Sequence, residues 1–230
     1  MVAPHSGHTA TLLKTGEVLI AGFGNGNAEL FDPNTLTFTQ TGSMHEARVL
    51  HTATLLNDGR VLIAGGIQGL PPSTTVLSEA ELYDPNTGTF MPTNHGMNAA
   101  RQLHTASLLT DGTVLITGGL ADNASAALAT AEIFDPANQT FTATTGVMNS
   151  PRYIHAAAVL DDGTVLICGG GDGIGAVSSA EVYDPAAKMF SAIGDMTRIR
   201  ANHTATKLQN GRVLVTGGNN SAPATAELYQ

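Results

Sequence analysis

Cysteine, charge and long apolar runs are all scarce in this sequence, and each shortage excludes a class of protein. Cys168 is the only cysteine, so no disulfide can form within the chain. Cysteine usage therefore does not indicate whether the protein occupies an oxidising or a reducing compartment. The longest apolar runs are four or five residues, whereas a membrane-spanning helix needs roughly 20. We therefore expect neither a disulfide scaffold nor a membrane partner.

Positive charge is also in short supply. Ten Lys and Arg residues are scattered among 19 Asp and Glu residues, which gives a formal net charge of −9. Phosphate backbones are bound by clustered Lys and Arg, so we expect no nucleic-acid partner. No basic segment precedes an apolar one near residue 1, and the localisation stays unknown. An extracellular or periplasmic place within a larger bacterial protein is one alternative.

An internal repeat dominates what is present. The block His-Thr-Ala-Thr-Leu-Leu begins at His51, and close variants begin at His8, His104, His155 and His203, at spacings of 43, 53, 51 and 48 residues. Repetition at intervals of about this length is typical of solenoids and propellers. The repeats span approximately residues 1–43, 44–96, 97–147, 148–195 and 196–230, and we interpret 1–230 as a single domain that could continue into a longer array.

Each repeat carries the signals of four antiparallel strands, which we label a to d. A Gly-containing turn such as Asp58-Gly59 joins the first two, and an apolar run such as 61–64 forms strand b. Strand c ends in Asp84-Pro85, a pair that favours a type I turn, and Phe90 marks strand d. Small residues in strand a and a doubly buried strand b predict a propeller blade. The expected fold is all-β, a five-bladed propeller of four-stranded blades whose last blade lacks its outer strand.

These residues resemble the kelch repeat. The resemblance rests on the Gly65-Gly66 doublet, on Tyr83 and on Phe90, and the spacing from Arg48 to His51 is similar to that of the bacterial, galactose-oxidase-like branch. The chain departs from the family pattern in having Phe where Trp is usual in strand d, and in having five repeats. The resemblance implies that ligands bind on the face where the b–c and d–a loops gather.

On that face the sequence offers one candidate ligand-binding set, formed by one arginine from each of four d–a loops and a neighbouring tyrosine: Arg48, Arg101, Arg152, Arg200 and Tyr153. Four guanidinium groups around an axis could hold a carboxylate or sulfate. The alternative is structural, with each arginine bonded to loop carbonyls or to the glutamate of an adjacent blade.

Metal and catalytic sites have weaker support. The five repeated histidines occupy equivalent positions around a ring and need not converge on one ion. Cys168 and Tyr153 lie in one repeat, but packing explains the cysteine without the copper radical site of galactose oxidase. Asp122 and Asp172 lie in b–c loops without a calcium-binding spacing. We predict no metal, no cofactor and no catalytic residue.

The sequence thus favours a non-catalytic binding or scaffold module with a protein or carbohydrate ligand on the loop face. An alternative is a sugar-active or oxidase-type kelch enzyme whose site lies on the arginine-bearing face. A third is a structural array whose chains self-associate through the edge of blade 5. The residues that break the repeat symmetry do not form a recognisable catalytic set: His5, Asp122, Asn123, Tyr153 and Asp172.

Overall fold

Antiparallel strands account for all the regular structure that can be described. The computed structural model describes residues 1, 6–22, 26–69, 73–122, 126–218 and 225–229, and these form 21 strands and no helix. Within these ranges no helix is long and apolar enough to cross a membrane. His5 and Asn123, which the sequence singled out, lie outside the described residues.

The strands form five sheets in chain order, so the predicted all-β, five-bladed fold is confirmed. Blade 1 contains β1 (Thr9–Leu12), β2 (Val18–Ala21), β3 (Asn27–Asp32) and β4 (Thr37–Ser43). Blade 2 contains β5 (Thr52–Leu55), β6 (Val61–Ala64), β9 (Ala80–Asp84) and β10 (Thr89–Pro92), with a two-stranded ribbon of β7 (Ile67–Gln68) and β8 (Thr75–Val76) in its b–c loop.

The remaining blades follow the same order of strands a to d. Blade 3 contains β11 (Thr105–Leu108), β12 (Val114–Thr117), β13 (Ala131–Asp135) and β14 (Thr140–Ala143). Blade 4 contains β15 (Ala156–Val159), β16 (Val165–Cys168), β17 (Ala180–Asp184) and β18 (Met189–Ala192). Blade 5 contains β19 (His203–Lys207), β20 (Val213–Gly217) and β21 (Ala226–Tyr229), and the residues that the structure describes form a three-stranded sheet there, as the sequence predicted.

The turns are built by aspartates that bond to their own loops. In the a–b turn of blade 2, Asp58 Oδ1 accepts from the Arg60 amide at 3.0 Å, and in the c–d turn Asp84 Oδ1 accepts from the Asn86 amide at 2.9 Å. This side-chain bond mimics a backbone turn and explains why Asp recurs at these positions. Both kinds of turn lie on the face opposite the b–c and d–a loops, because the four strands of a blade alternate in direction.

The core lies between blades rather than within them. Every residue of strand b is buried in blades 2, 3 and 4, because alternate side chains face the two neighbouring blades. Four apolar clusters join blades 1 and 2, 2 and 3, 3 and 4, and 4 and 5. The inner strands β1, β5, β11, β15 and β19 contact one another in chain order, which places strand a innermost.

Blades 1 and 5 each present one sheet face without such a cluster. None of the four clusters of described residues combines side chains from blades 1 and 5. In blade 5, Leu214 is only half-buried, although Leu62, Leu115 and Leu166 at the same repeat position are buried, and Leu228 is 51% exposed. The array therefore has two edge blades and three inner blades.

Candidate binding face

The four predicted arginines are buried clamps that hold the d–a loops. Arg101 is fully buried, and its guanidinium donates to Glu132 Oε1 at 2.7 Å and to the Gly118 carbonyl at 2.7 Å. Glu132 also accepts from the backbone amides of Asn98 and Ala99, which belong to the loop that enters the blade. The same ion pair recurs in blades 2, 4 and 5 as Arg48–Glu81, Arg152–Glu181 and Arg200–Glu227.

The partner glutamate comes from the same repeat as the arginine, not from an adjacent blade. Burial pushes the pKa of Arg48 and Arg101 down, and the paired carboxylate opposes this. Removal of either member of such a buried ion pair destabilises the protein, because the remaining charge stays buried without a partner. The ligand-binding role of Arg48, Arg101, Arg152 and Arg200 stays a prediction, and the geometry favours the structural alternative.

The repeated histidines connect neighbouring blades. His104 Nε2 lies 2.9 Å from Thr52 Oγ1 of the preceding blade, and His155 Nε2 lies 2.8 Å from Thr105 Oγ1. Burial is the main cause that lowers the pKa of His51 and His155 to about 3, with the charges of Arg48 and Arg152 second. These imidazoles are therefore neutral near pH 7 and serve as contacts between inner strands.

The Gly-Gly doublet lets the backbone of the next blade approach closely. A Cβ on Gly65 would stand 2.4 Å from the Arg101 carbonyl and 2.9 Å from His104 Cε1, and its φ of +62° also favours glycine. Gly66 donates its amide to the same Arg101 carbonyl at 2.9 Å. The doublet is thus a packing device between blades rather than a phosphate-binding loop.

Cys168 stands at the repeat position where blade 3 has Thr117, and both side chains contact the repeated histidine of the next blade. Its Sγ lies 3.6 Å from His203 Nε2, and in blade 3 Thr117 Oγ1 lies 3.1 Å from His155 Nε2. Burial raises the pKa of the Cys168 thiol to about 12, so the sulfur is a protonated, packed group. Within the described ranges no three His, Cys, Asp or Glu side chains are grouped to hold a metal ion.

Sequence reasoning missed a collar of residues around the axis on the loop face. The residue before each repeated histidine has a left-handed backbone, with φ between +47° and +61°: Gly7, Leu50, Leu103, Ile154 and Asn202. Their backbones form a continuous series from Gly7 onwards, because the amide of each later residue donates to the carbonyl of the one in the preceding blade, for example Asn202 to Ile154 at 2.9 Å. A positive φ is rare for a β-branched residue such as Ile154, and such strain clusters at functional sites. The shared position before each histidine was the signal available in the sequence.

Tyr153 lies beside this collar and is half-buried. It exchanges two backbone hydrogen bonds with Gly171, and its ring lies against that glycine, so that an added Cβ would meet Tyr153 Cε1 at 2.9 Å. Its predicted role in ligand binding stays a prediction, but the tyrosine is on the predicted face.

The b–c loop of blade 4 projects from the same face in a fixed conformation. Asp172 Oδ1 accepts from the amides of Ile174 and Gly175 at 2.7 and 2.9 Å, and these bonds lower the pKa of Asp172. The loop presents Ile174 with 98% of its surface exposed. The Asp172 oxygen that calcium would use therefore accepts hydrogen bonds from its own loop.

Comparison with known proteins agrees with this architecture. The family model described as the Kelch motif matches residues 152–197, which cover the entry loop and all four strands of blade 4. The chain folds as a β-propeller, and its fourth blade carries a Kelch motif. It superposes on the structure of YjhT with a TM-score of 0.76 at 12% sequence identity, over 98% of this chain and 80% of that one. Among curated protein sequences the chain has no match. Its relation to the galactose-oxidase-like branch stays a prediction.

Proposed function

We propose that this kelch-type propeller is a non-catalytic binding or scaffold module that engages a protein or carbohydrate ligand through its b–c and d–a loop face. The propeller fold supports a binding or scaffold role in general. The finer assignment to the loop face rests on the most exposed large apolar side chain among the described residues.

The observation that carries the proposal is Ile174. An isoleucine that is 98% exposed stands at the tip of a loop fixed by two hydrogen bonds to Asp172. Leu50, which is 37% exposed, lies in a d–a loop of the same face. Apolar side chains on a preorganised loop bind with little loss of conformational entropy. Loops on a rigid scaffold are also where binding residues concentrate.

The enzyme alternative has less support from the geometry. A site on the arginine-bearing face would need guanidinium groups that reach a substrate. The guanidinium of Arg152 instead donates to Glu181 and to the Gly169 carbonyl, with 0% of the residue exposed. We therefore place the ligand over the loop tips and the collar rather than on the arginines.

Photo-crosslinking tests the proposal with a control on the opposite face. A photoreactive phenylalanine analogue at position 174 is compared with the same analogue at position 36, because Leu36 is 75% exposed in a c–d turn. We expect adducts from an extract of the source organism, or signal on a glycan array, that Ile174→Ser weakens and Leu36→Ser leaves unchanged. Equal adducts at both positions, or equal loss in both variants, would contradict a loop-face site.

A further inference from the structure

The two faces of the propeller differ in the sign of the charges that they carry. The face formed by the a–b and c–d turns, which we call the turn face, has all three lysines of the chain on it or at its edge: Lys14, Lys188 and Lys207. The b–c loops on the other face contain no lysine or arginine, and their charged residues are all acidic: Glu79, Asp122 and Asp172. The b–c loops therefore present only negative charge to a ligand.

The d–a loops do not reverse this balance. Their clamp arginines are each paired with a glutamate, as in Arg101–Glu132. Outside the clamps these loops contain two acidic residues, Glu46 and Asp195, and a single cation, Arg198. A ligand that approaches the loop face therefore meets an excess of carboxylates.

The exposed isoleucine of this face and one of the carboxylates share a turn. The amide of Ile174 donates to Asp172 Oδ1 at 2.7 Å, and the hydrogen bonds within this loop lower the pKa of Asp172, so its carboxylate is ionised near pH 7. Asp122 in the b–c loop of blade 3 is also exposed. A ligand group that packs on Ile174 thus lies beside negative charge.

Aromatic rings are scarce on the same face. Among the described residues of the b–c and d–a loops, Tyr153 is the only Phe, Tyr or Trp, and its ring packs on Gly171. Sugars usually stack their C–H faces on exposed aromatic rings, which this face does not offer in number. Its exposed apolar groups are the aliphatic side chains of Ile174 and Leu50. Aliphatic groups next to carboxylates suit a polypeptide better than a carbohydrate.

We infer that the loop face binds a basic segment of a partner protein, in which an apolar side chain that packs on Ile174 is flanked by lysine or arginine. The inference rests on the proposed function, because it names the ligand of the same face. Complementary charges of this kind guide the approach of a partner and select against partners of the wrong sign. A glycan is the competing occupant.

Selection from a random peptide library tests the chemistry of the ligand. Peptides displayed on phage are selected on the whole protein, and only clones whose binding Ile174→Ser weakens are counted. We expect Lys and Arg to be enriched beside an apolar residue, relative to the starting library. Unchanged or reduced Lys and Arg content would overturn the inference. A glycan-array signal that Ile174→Ser abolishes, without any peptide of this kind, would replace the protein partner by a carbohydrate.

A matched pair of double variants locates the charges that act on the selected peptide. Asp122→Asn with Asp172→Asn removes two charges from the b–c loops, and Asp111→Asn with Asp162→Asn removes two from the a–b turns. Asparagine keeps the oxygen that accepts from the backbone, as Asn210 does in the a–b turn of blade 5. In fluorescence anisotropy at low salt, the b–c loop variant should bind about fivefold more weakly, and the a–b turn variant should change the affinity less than about twofold.

Salt dependence and photo-crosslinking separate this inference from the proposed function. The affinity for the peptide should fall as the ionic strength rises, because salt screens exposed charges. An affinity that salt does not change, or equal losses in the two double variants, would overturn the basic partner. Adducts at position 174 that exceed those at position 36 would then still support a loop-face site. Equal adducts at both positions would contradict the proposed function and this inference together.

Discussion

Blade 3 and blade 5 carry nearly the same sequence pattern but differ in what surrounds it. A Cβ on Gly118 of blade 3 would stand 2.3 Å from the Arg152 carbonyl of blade 4, whereas at Gly217 of blade 5 nothing lies within 4 Å. Leu115 is 1% exposed, and Leu214 at the same repeat position is half-buried. A residue of the repeat therefore stabilises the fold only when the next blade covers it. This is expected for architectures in which each repeat contacts only its neighbours.

The largest difference between the two blades should appear at the arginine clamps. Arg101→Met leaves the Glu132 carboxylate buried without its partner, so we expect the free energy of unfolding to fall by about 3–5 kcal/mol. Arg200→Met should cost less than half as much, because the side chain of Glu227 is 12% exposed and that of Glu132 only 2%. Denaturant unfolding of both variants measures the costs. Equal losses of stability would mean that the Arg200–Glu227 pair is as well shielded from water as the Arg101–Glu132 pair.

Removal of the same leucine from each blade sharpens the comparison. Leu115→Ala opens a cavity between blades 3 and 4 and should cost about 2–5 kcal/mol. Leu214→Ala should cost about 1 kcal/mol or less, because its side chain is already half in solvent. The shift in urea midpoint is the measurement. A loss at Leu214 as large as that at Leu115 would show that another surface covers the open face of blade 5 in solution.

The buried histidines should make stability depend on pH. The pKa of His155 falls to about 3 on folding, from an ordinary value of 6.5, so the unfolded chain binds more protons between these values. Stability from this residue is therefore complete above pH 6.5 and is lost as the pH falls, by about 1.4 kcal/mol per unit.

Urea midpoints at pH 7, 6 and 5 test this dependence. His155→Asn should flatten the slope. His203→Asn should flatten it less, since the pKa of the edge-blade histidine is lowered to a smaller extent. A slope that His155→Asn leaves unchanged would assign the acid sensitivity to other groups.

The smallest effect concerns the c–d turns of blades 1 and 2. Leu36 has a φ of +56° at the position where blade 2 has Gly88, whose φ is +67°. Leu36→Gly should stabilise the protein by up to about 1 kcal/mol through relief of backbone strain, and Gly88→Leu should destabilise it by a similar amount. Thermal melts of the two variants should move in opposite directions. A loss of stability in Leu36→Gly would indicate that this exposed leucine makes a contact that outweighs its strain.

Much of the architecture was predictable because the repeat signals are local. The Asp58-Gly59 turn, the apolar run of strand b and Phe90 report hairpin geometry and burial within a few residues of chain. Five copies in register then predicted the sheets, their strand order and the missing outer strand of blade 5. The candidate site was less predictable: the arginines were placed at the correct loops, but their direction toward Glu132 and its equivalents depends on how each loop folds back over strand c.

The sequence by itself determined the blades, since the alternation of side chains and the turn residues fix which strands pair. Only the tertiary structure decided the backbone conformation and burial of equivalent residues in different repeats. The left-handed backbone of Ile154 arises because its amide must reach the Leu103 carbonyl of the preceding blade. Leu214 is half-buried, whereas Leu115 at the same repeat position is 1% exposed because blade 4 packs against it. Both depend on neighbouring blades, and contacts between repeats are long-range features that a local pattern does not encode.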